Sequence, residues 1–278
     1  MYSRSQLQFH ETFQPEPVYL AKLLALASEN YVGNKYEISE KTGIPTGKQK
    51  GKVEPHIKFS AYMGLINYTC EKGVYSLSLP PIGDEIYSQD PFLHEQLSKW
   101  LCHYNIVRRE KGAPQWSFWA NTVHQGFIQS ISSERVMEQF KKQFDGNLSY
   151  EEIFGVMRRS YLEGFFKELE YLSINETNKS LSFHENSARD DLLYAYAYAM
   201  MDSWEYILPE KKEITLFELL EDLSFGKIFG LADDTVNELL DDMSGEGIIS
   251  VNRQLFPTTI IKTTSSNELI AKLYSRLL

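Results

Sequence analysis

The sequence predicts a mainly α-helical protein with small β-hairpins, and three observations support this class. Apolar residues recur at three- and four-residue spacing over most of the 278 residues, as in helices that bury one face. Only two places show a pair of short β-like segments joined by a turn. Hydrophobic residues make up 42% and aromatic residues 13% of the chain, so the composition favours packed cores over disorder.

The N-terminal third has the element order of a winged helix-turn-helix. Apolar residues at helical spacing predict a first helix over 18–27, and the segments 36–44 and 56–66 predict a second and a third. Two β-like segments follow, around 66–69 and 74–79. Three helices followed by a hairpin, the wing, therefore predict a winged helix-turn-helix module here.

A helical middle follows over residues 89–208. Asp90 before Pro91 indicates a helix start, because an Asp side chain accepts free backbone N–H groups and Pro is tolerated at the first helical position. The pattern of this region shows no convincing strand pair. We expect further helices near 115–129, 133–144, 149–170 and 187–206.

The C-terminal part repeats the element order of the N-terminal third in outline. Helical patterns precede a strand pair around Asn252 and Arg253, and a short terminal helix starts at Asn267. We therefore predict three domains, which are a winged helix-turn-helix over 1–88, a helical domain over 89–208, and a winged-helix-like unit with a terminal helix over 209–278.

The charge distribution is more informative than the total charge. A net charge of −10 argues against a protein coated with phosphate-binding residues, so any contact with nucleic acid must be local. The segment 41–58 carries five lysines and a single acid, Glu54. It covers the turn and the start of the predicted third helix, which a helix-turn-helix presents to the major groove.

Lysines at this place can contact phosphates, and backbone N–H groups at a helix start can add to them. A solvated lysine-rich loop and a winged helix that docks onto protein are the alternative interpretations. The residues predicted to contact DNA are Lys48, Lys50, Lys52, His56, Lys58, Ser60 and, at the tip of the wing, Lys72.

No motif makes a positive case for catalysis. The sequence has no Walker loop, nucleophile elbow, dinucleotide-binding glycine motif or zinc-finger spacing. Phe9-His-Glu-Thr-Phe13 lacks further ligands for a metal, and Cys102-His103 with His94 lacks a fixed ligand spacing, so packing roles are favoured. The pair Arg158-Arg159 is interpreted as a solvated face. We predict no catalytic residue, no metal site and no cofactor, and hence no enzyme.

The sequence also suggests where the protein works. No apolar run approaches the ~18 residues of a membrane helix, and the N-terminus lacks the features of a secretory signal. The two cysteines, Cys70 and Cys102, have neither metal nor redox spacing, which fits reduced thiols. We expect a cytoplasmic protein without a membrane partner, and a homodimer is compatible with the sequence.

Four phrases resemble domain of unknown function family 4007. They occur in the family's order and span nearly the whole chain. The resemblance implies a setting rather than an activity, because members occur in gene clusters for DNA phosphorothioation and related phage-defence systems. The phrases are Phe9-His-Glu-Thr-Phe13, Asp90-Pro-Phe-Leu-His-Glu95 running into Trp100-Leu-Cys-His103, Trp116-Ser-Phe-Trp119, and Phe225-Gly-Lys-Ile-Phe-Gly-Leu231 followed by Asp233 and Asp234.

The residues and the resemblance together predict a DNA-binding, non-enzymatic component of a DNA-modification or phage-defence system. Such a component would position partner proteins on duplex DNA. The alternative is an assembly or regulatory subunit of the same kind of complex that does not touch DNA. An enzyme of unrecognised type is a third hypothesis, which a deep pocket with convergent polar groups would favour.

Overall fold

The computed structural model describes residues 2–48, 50–109, 111–124, 131–144, 148–175, 180–254 and 256–277. It divides into two compact units, Met1–His184 and Glu185–Leu278. Helices predominate, and the strands within the described residues form small antiparallel sheets. The predicted class, mainly α with small β elements, is confirmed. The division into three domains stays a prediction.

The first part of unit 1 places three helices and a three-stranded sheet around one core. Helix α2 begins with Pro17 at its first position and buries Leu20, Leu23 and Leu24, as its apolar spacing predicts. The sheet order is β1-β3-β2, so the last strand lies in the middle. The elements are α1 (Arg4–Leu7), α2 (Pro17–Ser28), β1 (Val32–Asn34), α3 (Lys35–Thr42), α4 (Val53–Tyr62), β2 (Asn67–Glu71) and β3 (Val74–Ser78).

Local capping signals define α3 and α4. The Asn34 side chain accepts the backbone N–H of Glu37, whose side chain accepts the N–H of Asn34 in return, so α3 starts with a capping box. Gly43 ends α3 at φ 68, a left-handed conformation that costs glycine little. Helix α4 starts at Val53, three residues before the predicted start, because Pro55 is tolerated in a first turn.

The described residues in the rest of unit 1 form helices and one short hairpin, made of β4 (Leu172–Ile174) and β5 (Leu181–Phe183). The expectation of no strand pair here is wrong, because these two strands are too short to show an alternating pattern. The predicted helix near 149–170 ends at Leu162. For the helix predicted near 115–129, residues from 125 onward lie outside the described residues. The elements are α5 (Pro81–Gln89), α6 (Gln96–Val107), α7 (Pro114–Phe118), a π-helical turn (Trp119–Val123), α8 (Ser133–Phe140), α9 (Tyr150–Leu162), β4 (Leu172–Ile174) and β5 (Leu181–Phe183).

The helix predicted to start at Asp90 and Pro91 starts instead at Gln96. Asp90 follows the end of α5, and its carboxylate accepts the backbone N–H groups of His94 and Glu95. Asp90 therefore does supply the expected cap, but it does so across a turn rather than from the adjacent position.

Unit 2 has the same element order as the first part of unit 1. A long helix, α10, precedes a strand, further helices and a hairpin, and the sheet order β6-β8-β7 again places the last strand in the middle. The elements are α10 (Leu193–Ile207), β6 (Glu213–Thr215), a π-helical turn (Glu218–Asp222), α11 (Phe225–Phe229), α12 (Asp233–Gly245), β7 (Ile249–Asn252), β8 (Thr259–Lys262) and α13 (Ser266–Leu269). In the described parts of both units, no helix is long and apolar enough to span a membrane.

Candidate nucleic-acid interface

Four of the lysines predicted to contact DNA keep their side chains at least partly in solvent. Lys48 and Lys50 are exposed in the turn between α3 and α4, and Lys58 is half-buried on α4. Lys72 is exposed at the tip of the β2–β3 hairpin, where it and Gly73 have φ 49 and φ 82. Two successive positive φ values are typical of a tight hairpin turn. Within the described residues, none of these four lysines forms an ion pair.

Lys52 has a different role from the one predicted. Its Nζ lies 2.7 Å from Glu16 Oε1, and it also lies 5.6 Å and 5.3 Å from the ring centroids of Phe13 and Tyr19. The hydrogen bond to Glu16 raises the pKa of Lys52. We therefore remove Lys52 from the candidate contacts, because its ammonium group is paired with the Glu16 carboxylate. This ion pair joins the α3–α4 turn to the segment before α2.

His56 and Ser60 are also corrected, because both are completely buried. His56 Nδ1 donates to the carbonyl of Lys52 at 2.7 Å, and Nε2 accepts the backbone N–H of Glu16 at 3.2 Å. Burial lowers the pKa of His56, which keeps the ring neutral. The imidazole therefore joins the first turn of α4 to the start of α2, and neither side chain can reach a ligand outside the protein.

Helix α4 is enclosed on more than one face, which sequence periodicity did not indicate. Phe9, from the segment before α2, packs against Phe59 and Tyr62 with ring centroids 5.0 Å and 4.9 Å apart. Val53 and Ile57 are also fully buried. Only a narrow strip of α4 is left partly exposed, and Lys58 is its single cation.

The Glu54 carboxylate, on the same strip, is already paired with neighbouring side chains. Its carboxylate is 3.0 Å from Lys35 Nζ and accepts the hydroxyl hydrogen of Tyr75 at 2.7 Å. Burial acts to raise the pKa of Glu54, but the hydrogen bonds from Tyr75 and Lys35 and the charges of Lys35 and Lys58 together lower it. Because Lys35 starts α3 and Tyr75 belongs to β3, Glu54 holds both elements beside α4. The predicted contact lysines with no ion pair among the described residues, hereafter the α4 lysines, are Lys48, Lys50, Lys58 and Lys72.

Among the other motifs, Phe9 and His103 have the packing roles that the sequence predicts. Phe9 is 3% exposed and also meets Trp116 of α7 at 5.9 Å between ring centroids. His103 is buried, with Nδ1 2.7 Å from the Tyr161 hydroxyl, whereas His94 is exposed. The described residues contain no group of three or more His, Cys, Asp or Glu side chains that could hold a metal ion.

The fold is therefore that of a mainly helical protein with two units. In each unit, a long helix is followed by a strand, further helices and a hairpin. The chain belongs to the family described as Protein of unknown function (DUF4007), whose model matches residues 8–272. This membership confirms the resemblance noted in the sequence.

Solved structures with a similar fold include two crystal structures of SspB. The magnesium ion-bound SspB structure has a TM-score of 0.76 and 15% identity, over 97% of this chain and 88% of that chain. The other SspB structure has a TM-score of 0.73 and 16% identity, over the same 97% and 88%. At this identity the likeness concerns the fold alone. No curated protein matches the chain in sequence.

Proposed function

We propose that this protein is a DNA-binding, non-enzymatic component of a DNA-modification or phage-defence system. It binds duplex DNA through unit 1 and positions partner proteins there, in the cytoplasm. The observation that carries the proposal is the set of α4 lysines, which lack ion pairs among the described residues in a chain of net charge −10.

The element order around α4 supports this assignment. A helix, a strand, two helices and a hairpin whose second strand lies centrally match the element order expected of a winged helix-turn-helix, which supports the proposal. Lys48 and Lys50 lie in the turn, Lys58 on the third helix and Lys72 on the wing. These are positions from which such modules contact the DNA backbone.

The burial of α4 favours backbone contact over base recognition. His56 and Ser60, two of the residues predicted to contact DNA, are inside the protein, and the strip that α4 exposes is narrow. Lysines supply point charges for phosphates, which fix position but carry little sequence information. The proposed binding is therefore weakly sequence-dependent and strongly salt-dependent.

The charge is divided unevenly between the two units. Residues 185–278 contain eight Lys and Arg against 17 Asp and Glu, a net charge of −9. Residues 1–184 contain 20 Lys and Arg against 21 Asp and Glu, a net charge of −1. Because DNA repels an acidic surface, the proposal assigns DNA to unit 1 alone.

Family membership supports the proposed setting, since the family resemblance implies DNA phosphorothioation and phage-defence clusters. One of the similar SspB structures is magnesium-bound. The described residues here bring together no group of three metal-ligating side chains, and the proposed positioning role does not require a metal.

Unit 2 favours a second candidate function, protein assembly without DNA contact. Helix α12 has five acidic residues and no basic one. Unit 2 also exposes two large aromatic side chains, Phe217 at 68% and Phe256 at 102%. Exposed aromatic side chains are typical of protein interfaces. In this alternative, both units dock onto protein partners.

A salt titration separates the two candidates. We expect the full chain to bind a plain duplex with a slope of log K against log salt near −3.6 for about four phosphate contacts. Fluorescence anisotropy with labelled duplex measures this slope, and a phosphorothioate duplex in parallel tests for recognition of the modified backbone. Absence of binding at about 50 mM salt, together with co-purification of an enzyme at fixed stoichiometry, would favour the assembly role.

A further inference from the structure

A cleft of about 430 Å³ in unit 1 lies between the segment before α2, the turn before α6 and the residues that follow α9. Part of its lining is apolar. Pro17 is exposed on one side and Phe165, 6% exposed, lies on another, with Leu93 almost fully buried beneath them. Apolar surface beside solvent accepts the methylene stem of a long charged side chain while the charged end stays in water.

Carboxylates outnumber ammonium groups around the cleft. Glu16 Oε1 lies 2.7 Å from Lys52 Nζ, and Glu168 Oε2 lies 2.6 Å from Lys99 Nζ. Glu163 is exposed on the lining, and its side chain makes no hydrogen bond or ion pair within the described part of the chain. Three carboxylates against two ammonium groups leave one negative charge, so the lining favours a cationic ligand.

The turn between α5 and α6 presents aromatic rings beside this cleft. Leu93, in that turn, has φ 57, a backbone conformation that is uncommon for a bulky side chain. Phe92 is 65% exposed, and its ring centroid lies 5.9 Å from that of His94, which lines the cleft. Strained backbone of this kind is frequent at ligand sites, where the surrounding structure holds it in place.

The chemistry of the cleft suits the side chain of an arginine. A guanidinium group is planar, pairs with a carboxylate through two hydrogen bonds and stacks on aromatic rings, whereas an ammonium group is a compact and strongly hydrated charge. Glu163 supplies the carboxylate, and Pro17 and Phe165 supply apolar surface for the stem. The exposed ring of Phe92 extends this surface beyond the cleft, and aromatic residues are enriched at protein interfaces.

We propose that this cleft is a docking site for an arginine side chain of a partner protein, whose guanidinium group pairs with Glu163. Phe92, beside the cleft, contacts an apolar residue of the same partner. The inference rests on the proposed function, in which the chain positions partner proteins, and it names the chemistry that holds one of them. The lining includes none of the α4 lysines.

The test compares two capped amino acids as ligands of the full chain. They are N-acetyl-arginine amide and N-acetyl-citrulline amide, in which a neutral urea replaces the guanidinium group. NMR follows the backbone amide signals of His94 and Gly164, both on the lining, at pH 8, where an exposed imidazole is uncharged. We expect the arginine compound to shift both signals and the citrulline compound to shift neither.

Two exposed acids provide a variant and its matched control. Glu163→Gln should weaken binding of the arginine compound about fivefold, the effect expected for a partly exposed charge pair. Glu29→Gln should leave this affinity unchanged, because Glu29 is exposed at the end of α2 and does not line the cleft. Equal shifts with the arginine and citrulline compounds, or equal losses in the two variants, would overturn the site.

A capped pentapeptide with a central arginine and a leucine at each end tests the assignment to a protein partner. Phe92→Ala should weaken binding of the pentapeptide about threefold or more, through loss of apolar contact, and leave binding of the capped arginine unchanged. No effect on the pentapeptide would contradict a protein partner and indicate a site for a small guanidinium compound. The variant with Lys48, Lys58 and Lys72 changed to Glu should still bind the capped arginine, so failure of DNA binding and failure of this site are distinct results.

Discussion

Replacing Lys48, Lys58 and Lys72 together by Glu is expected to abolish duplex binding by the full chain at about 100 mM salt. Each substitution removes one proposed phosphate contact and places a negative charge beside the DNA backbone. Losing three contacts should also make the salt slope shallower by roughly 2.7. Anisotropy measures the affinity, and circular dichroism checks that the variant is folded. Lys52 is left in place because it is paired with Glu16.

The matched control moves the same change in charge to another surface of unit 1. Lys141, Lys142 and Lys167 are exposed and lie outside the α4 region. Changing all three to Glu should weaken binding only slightly, because long-range repulsion is screened beyond about 10 Å at 0.1 M salt. Equal weakening by the two triple variants would show that net charge, rather than the α4 lysines, governs binding.

Asp90→Ala is expected to lower the free energy of unfolding by about 3 kcal/mol, through loss of a helix cap and of charged hydrogen bonds. Asp90 is 6% exposed. Its carboxylate accepts the backbone N–H groups of His94 and Glu95, each at 2.9 Å, and the hydroxyl of Ser98 at 2.6 Å. Alanine would remove the acceptor that these three donors share at the start of α6. Urea unfolding followed by circular dichroism measures the change.

Asp84→Ala is the control for the Asp90 substitution. Asp84 is an exposed acid in the first turn of α5, and its loss should cost no more than about 1 kcal/mol. Similar losses from the two substitutions would contradict the structural role assigned to Asp90. Asp90→Asn should retain part of the stability that Asp90→Ala loses, because the amide oxygen of Asn can still accept a hydrogen bond.

Local patterns were sufficient to predict much of the fold around the candidate interface. The spacing of Leu20, Leu23 and Leu24 gives the buried face of α2, and Gly43 marks the end of α3. Strand β1 was not predicted, because three residues show no alternation and the strand is defined by pairing with β3, about forty residues away. Pairing over such a distance leaves no local signal.

The candidate interface was predicted in part. Lys48, Lys50 and Lys72 lie in glycine-containing turns, so their exposure could be expected from the sequence. The sequence could not exclude Lys52 and His56 as DNA contacts, because their partner Glu16 lies 36 and 40 residues away. The enclosure of α4 likewise depends on Phe9, which reaches it only in the folded chain.

The most direct measurement of the central claim is lysine acetylation of the full chain with and without duplex DNA, mapped by mass spectrometry. A lysine that contacts a phosphate reacts slowly in the complex, because its ammonium group is held against the backbone. We predict protection of Lys48, Lys58 and Lys72 and unchanged reaction at Lys141, Lys142 and Lys167. Protection that is absent, or that falls on lysines of unit 2 instead, would contradict the claim that unit 1 binds DNA through the α4 lysines.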